Sequence, residues 1–202
     1  MQPEVQASAR PLGILILAAG NSSRFGSCKL LADCKGQPLI NYALRTALAF
    51  PRAQTQVVTG AWHAEVDAVM ASGTVPRLPL LFNRDWQSGM GSSVALGVSA
   101  MAESCSEILI LLADQPLVTP EDCRQLLTAD KLADICCAEY SGNWGVPALF
   151  RSATFASLMQ LKGQQGAKKL LSDPAFSVAG VELPRAAQDI DYPRDLNRLF
   201  PE

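Results

Sequence analysis

Four aliphatic residues in a row, Ile14 to Leu17, give way at once to small and cationic residues, and this stretch constrains the chain more than any other. With no polar alternation, the run predicts a strand buried on both faces, as in a parallel sheet covered by helices on each side. The segment that leaves it, Ala18-Ala-Gly-Asn-Ser-Ser-Arg-Phe-Gly-Ser-Cys-Lys29, has a different character. Its Ala, Gly and Ser residues let backbone approach a ligand, and their amides can point into one concavity of the kind that cradles phosphate oxygens. Arg24 adds a planar fork and Lys29 a compact point charge, so the loop suits a triphosphate better than a neutral ligand. It is not G-x-x-x-x-G-K-[ST], because Leu30 follows the lysine, and not G-x-G-x-x-G, because Ser22 stands at the second glycine.

At 202 residues and 49% hydrophobic, the chain can bury one good core but not two generous ones, so residues 12–202 are expected to form one domain. Residues 1–11 are expected to be a flexible extension. They lack the apolar core of a secretory signal, and no apolar run reaches membrane-spanning length, so a cytoplasmic location is expected. A formal charge of -2 gives no basic field for nucleic acid or an anionic membrane, which points to a small-molecule substrate. The six cysteines include no C-x-x-C pair and the chain has one His, which argues against zinc and for small buried hydrophobes. Cys28 lies inside the phosphate loop, where alkylation would block the site without the thiol being catalytic.

Downstream, helices are expected over 39–50, 62–70, 94–102 and 155–161, with strands over 56–59, 78–82, 108–113, 134–138 and 178–182. This alternation predicts a Rossmann-like α/β three-layer sandwich, mostly parallel, with a small antiparallel addition in the later part. The Gly89-Met-Gly-Ser-Ser93 run, placed before a helix, offers amides and hydroxyls for an anion or the polar edge of a base, with Ser92 or Ser93 as N-cap. Thr119-Pro120 reads as a capped helix start. The apolar strand ending at Ala113 is followed by Asp114, and ligands of parallel sheets gather at the carboxyl ends of strands. Asp114 is therefore a candidate Mg²⁺ ligand, since that ion takes one or two carboxylates along with substrate phosphates and water. His63 has no Ser or Cys constellation beside it and reads as a surface or cap residue. With no activated nucleophile in the chain, the nucleophile must come from the substrate, as in nucleotidyl transfer.

Leu17-Ala18-Ala19-Gly20, Ser22, Arg24, Gly26 and Lys29 together resemble the L-A-A-G-x-S-x-R-x-G-x-x-K loop of nucleotidyltransferases that join a nucleoside triphosphate to a phosphorylated acceptor. Asn83, Trp86 and Gly89 to Ser93 resemble the version in molybdenum cofactor cytidylyltransferases, and Asp189-Ile-Asp-Tyr-Pro-Arg-Asp-Leu196 resembles that family's ending. The resemblance implies a nucleotide-diphospho-sugar transferase-like fold and nucleotide contacts from Leu17, Ala18, Ala19, Gly20, Ser22, Ser23, Arg24, Lys29, Gly89 and Ser93. It implies catalytic roles for Arg24, Lys29 and Asp114, with Mg²⁺ held by Asp114 and Asp191 and Asp189 in reserve. Acceptor contacts are implied at Gln115, Gly145, Pro147 and Gly166, with Trp144 either lining that pocket or sitting on plain sheet edge. Ala19, where guanylyl relatives usually have Gly, implies CTP, with molybdopterin as acceptor and a transient contact with a molybdoenzyme or its chaperone. The family's Gly-Asp-x-Gly-Ala-Arg has Gln164 and Lys168 in place of its Asp and Arg here, which leaves acceptor identity open. A guanylyl or sugar-phosphate nucleotidyltransferase, or a non-catalytic nucleotide-binding partner of a molybdoenzyme, are the alternatives.

Overall fold

In the computed structural model, which describes residues 10–201, Leu12–Ala18 forms the first strand, β1, in the interior of a seven-stranded sheet. Helix α1 (Ile40–Leu48) leads to β2 (Gln54–Thr59), α2 (His63–Ala71) to β3 (Leu80–Phe82), α3 (Met90–Ser99) to β4 (Glu107–Leu112) and α4 (Pro120–Thr128) to β5 (Ile135–Tyr140). Next come β6 (Asn143–Arg151), the short helices α5 (Phe155–Met159) and α6 (Lys168–Leu171), β7 (Val178–Glu182) and α7 (Pro193–Leu199). The strand order is β3-β2-β1-β4-β6-β5-β7, with β6 antiparallel to both neighbours and every other pairing parallel. This is the nucleotide-diphospho-sugar transferase-like α/β fold, shared with the solved structures described below.

The unalternated apolar run of β1 is explained by what covers it. Ile14, Ile16 and Ala18 enter a core shared with Ile40 and Leu44 of α1 and Val66 and Met70 of α2. Leu15 and Leu17 point the other way, toward Val94 and Val98 of α3 and Phe155 and Leu158 of α5. Leu109 and Leu111 of β4 divide from Ile108 and Ile110 in the same manner. Each such side chain taken out of water contributes about 1.5–3 kcal/mol before the entropy of ordering is set against it.

Several boundaries differ from those expected, and at three places the structure shows why. The third strand starts at Leu80 rather than 78, because Pro79 has no amide to donate; its carbonyl accepts from Val57 N instead. Helix α3 starts at Met90, four residues early, so Ser92 and Ser93 lie within it and Gly89 is the N-cap. Gly89 has φ +120°, and Gly91 N donates to Gly163 O at 3.0 Å, so a long-range backbone contact replaces the expected serine cap. Residues 1–9 of the expected extension lie outside the described residues, while Arg10 and Pro11 are tied down by Ser106, whose side chain and amide donate to their carbonyls.

Strand β1 pairs with β2 on one side and β4 on the other, so connections leave it in opposite directions and open a crevice at the carboxyl ends of β1 and β4.

Candidate active site

Three segments meet at this crevice, which encloses about 540 Å³. The first is the loop after β1. Ser22 has φ +54° and Gly26 φ +83°, and the Ser22 carbonyl accepts from the amides of Phe25 and Gly26, folding the loop into a tight turn. Ser22 Oγ accepts from Lys29 N, Asn21 Oδ1 from Ser23 N, and Trp62 Nε1 donates to Asn21 O. Phe25, the loop's one large apolar side chain, packs with Cys34, Leu39 and Ile190 and with Leu196 and Leu199 of α7. The phosphate-type loop is thereby anchored to the C-terminal segment.

The second segment follows β4, where Asp114 stands two residues beyond the strand. The third is the approach to α7: Ile190 N donates to Asp114 O at 3.0 Å, stitching this segment to the β4 end. Asp195 then accepts from Asp191 N at 3.0 Å and Tyr192 N at 2.8 Å, fixing the turn that presents Asp191. The Tyr192 amide, foremost, holds the Asp195 carboxyl below the usual carboxylate range.

Lys29, on a short 3-10 turn whose Leu30 is buried, reaches into the meeting point. Its Nζ donates to Asp114 Oδ2 at 2.7 Å, Ile190 O at 2.7 Å and Asp191 Oδ1 at 3.1 Å. Arg24 Nη1 donates to Asp191 Oδ2 at 2.8 Å. Burial works to lower the Lys29 pKa, but the charge and hydrogen bonds of the two aspartates outweigh it and leave the ammonium harder to deprotonate than usual. The Arg24 side chain is 64% exposed, so its ion pair is screened and stabilises little, whereas Lys29 at 12% sits where charge interactions count. Burial, with the like charges of Asp114 and Asp191 added, pushes the Asp189 carboxyl up.

Leu17, Ala18, Ala19, Gly20, Ser22, Ser23, Arg24, Lys29, Gly89, Ser93, Asp114 and Asp191 all border the crevice. The acceptor residues expected from the resemblance do not. Gln115 is buried, and its Nε2 donates to Val146 O at 3.2 Å and Ala186 O at 2.7 Å, so it ties β6 to the 184–187 turn. Pro147 is buried within β6, Gly145 lies beneath the Tyr140 hydroxyl, and Gly166 lies against the Met90 side chain. Trp144 sits on β6, 38% exposed, with Nε1 facing Glu139. His63 caps no chemistry: its Nδ1 shares a 2.7 Å hydrogen bond with Thr59 Oγ1 and its ring stacks on Phe82.

Of the other lining residues, Gln87 had no motif to announce it, whereas Trp86, Met90 and Gln164 fall in stretches the resemblance covered without a role assigned to them. Trp86, Gln87, Met90 and Gln164 complete the wall opposite the phosphate-type loop. Asn83 organises that wall, its Nδ2 donating to Ser92 Oγ and Ser93 Oγ and its Oδ1 accepting from Asp85 N. The signal for this wall is the pair Gly89 and Gly91: a Cβ at either would strike the backbone of residues 162–165, so glycines there let that loop dock and carry Gln164 into the crevice. Gly60 serves likewise at the end of β2, where a Cβ would meet Ala19 O at 2.5 Å and Trp86 Cβ at 2.6 Å.

Asp114 and Asp191 converge on one cationic nitrogen, and two carboxylates with room for phosphate and water oxygens fit the donor set Mg²⁺ prefers. Among the described residues no third His, Cys, Asp or Glu gathers with them into a closed metal cage. No helix of the described residues is long and apolar enough to cross a membrane.

Comparison with known proteins agrees with this geometry. The purine catabolism protein PucB of Bacillus subtilis (strain 168) is 30% identical over 193 residues, 92% of this chain and 94% of that protein. The solved homolog of Mycobacterium tuberculosis rv0371c from Mycobacterium sp. strain JC1 is 25% identical, covers 94% of each chain and superposes with a TM-score of 0.78. Molybdopterin-guanine dinucleotide biosynthesis protein A from Archaeoglobus fulgidus shares the fold, with a TM-score of 0.68 at 18% identity over 93% of this chain and 96% of that one. The model of the MobA-like NTP transferase domain matches residues 14–179. With its phosphate-type loop, strand-end aspartate and crevice in one place, the chain belongs to the MobA-like NTP transferase family.

Proposed function

We propose that the protein transfers CMP from CTP to the terminal phosphate of molybdopterin, releasing pyrophosphate and forming molybdopterin cytosine dinucleotide. The observation that carries a transfer reaction is the convergence of Lys29, Asp114 and Asp191 in the crevice bordered by the loop after β1. In this reading the loop amides and Arg24 hold the β- and γ-phosphates, and Lys29 faces the charge that builds around the α-phosphate. Asp114 and Asp191 would hold Mg²⁺, which supplies charge neutralisation and alignment of the phosphate oxygens when bound. The attacking oxygen belongs to the acceptor phosphate, so the chain needs no nucleophile of its own and acts by positioning. A crevice of about 540 Å³ is in the range of small-ligand sites.

Ala19 supports cytosine, and molybdopterin as acceptor follows from the same resemblance. Guanine is the rival base, supported by the name of the A. fulgidus relative. We expect pyrophosphate release with molybdopterin and Mg²⁺ to be fastest with CTP among the four common triphosphates. Asp114→Asn should lower the rate by about 10²-fold or more with the melting temperature preserved. Release with GTP alone would replace cytosine by guanine, and no release with any triphosphate would leave a binding role only.

A further inference from the structure

The Lys29 ammonium has three N–H groups, and all three are taken by the protein itself: Asp114 Oδ2, Ile190 O and Asp191 Oδ1 at 2.7, 2.7 and 3.1 Å. Both oxygens of Asp191 are engaged as well, Oδ1 by Lys29 and Oδ2 by Arg24. A lysine in this state has no donor left for a triphosphate, and both oxygens of Asp191 and one of Asp114 already face a cation. The two cations the loop offers to phosphate are the same two that neutralise the aspartates. Resting on the nucleotidyltransferase reading above, we infer that Lys29 is an internal counter-ion occupying the divalent-cation position, so that metal entry and release of Lys29 toward the triphosphate are one linked event.

The linkage has a direction. A divalent ion arriving alone must displace an ammonium held by two carboxylates and a carbonyl, with no new acceptor for that ammonium, so it binds weakly. Arriving with a triphosphate, it brings the oxygens that receive Lys29 and Arg24, so the displaced cations exchange one set of anionic partners for another. Metal and nucleotide should thus bind synergistically, the free protein holding its aspartates neutralised and together. Linkage makes the effect reciprocal: the triphosphate alone should bind weakly too. Lys29 is in this respect a positioning residue for Asp114 and Asp191, in addition to any contact with substrate.

The test uses the full chain and Mn²⁺ as probe, with the free ion followed by electron paramagnetic resonance, with and without the non-hydrolysable α,β-methylene analogue of CTP. Lys29→Met should bind Mn²⁺ alone about tenfold more tightly than the unmodified protein, and should lose about tenfold of the gain in affinity that the analogue brings. Arg24→Met removes the same charge but only one exposed contact, and should shift affinity by no more than about threefold. Equal Mn²⁺ affinity in Lys29→Met and the unmodified protein, or an equal shift in the two variants, overturns the inference while leaving nucleotidyl transfer standing. A readout in the unmodified protein is independent of how the variants fold: with ¹⁵N-labelled lysine, the Lys29 ammonium resonance should be slowed in proton exchange without metal and lose that protection when Mg²⁺ and the analogue are added. A resonance unmoved by both ligands at saturation overturns it as well. Absence of Mn²⁺ binding even with any of the four triphosphates would remove the nucleotidyltransferase reading and this inference together.

Discussion

At the scale of single residues, much of this site is built from what certain positions lack. Gly89 combines a backbone conformation closed to other residues with a Cα that faces the carbonyl of Gly163, and neither constraint could be relieved by moving a flexible side chain. We expect Gly89→Ala to lower stability by about 2 kcal/mol or more from backbone strain and overlap together. It should also weaken nucleotide binding, because the loop that carries Gln164 into the crevice must move. Denaturant titration and a nucleotide thermal-shift series would check both, and an unchanged unfolding midpoint would refute the account. The phosphate-type loop was readable from residue types because its chemistry is local. Gln115 was misplaced for the opposite reason: whether an amide after a strand turns toward the crevice or into the packing depends on Val146 and Ala186, 31 and 71 positions away.

At the scale of elements, helix starts show which local signals win. Thr119 caps α4 with a full capping box, its hydroxyl accepting from Asp122 N while Asp122 Oδ2 accepts from Thr119 N, and Pro120 occupies the first helical position as expected. Thr119→Ala should cost about 1 kcal/mol, a melting shift of about 2–4 °C in a chain of this size, with pyrophosphate release unaffected. Differential scanning calorimetry beside the release assay would separate the two. At α3 the same preference for hydroxyl caps pointed to Ser92 or Ser93 and failed, because contact with residues 162–165 fixes that end and no local pattern carries it. The buried strands β1 and β4 were legible nearly to the residue from apolar runs. The insertion of antiparallel β6 between β4 and β5 was not, since strand order is settled by pairing across the sheet.

For the molecule as a whole, the six cysteines are free thiols, all buried except the half-buried Cys28. Burial pushes Cys34 up to about 11 and Cys123 and Cys137 up to about 12, from an ordinary value of 9.0. The folded chain therefore keeps protons that the unfolded chain gives up. The stability these thiols lend is fully present below pH 9 and is lost as pH rises toward 12. Urea midpoints should be flat between about pH 7 and 8.5 and fall above about pH 9, with Cys137→Ala reducing the slope; a midpoint level to pH 10.5 would contradict this burial. Raised pKa values also leave little thiolate at neutral pH, so Cys28 should resist alkylation more than its place in the loop suggested.

The bond between Arg24 and Asp191 joins positions 167 apart, and that between Lys29 and Asp114 joins positions 85 apart. During synthesis the loop leaves the ribosome well before the turn that answers it, and Ile190 closes onto Asp114 only after both have emerged. A growing chain thus carries cations that are not fully answered until that turn has followed, and competence for ligand waits on these distant segments coming together.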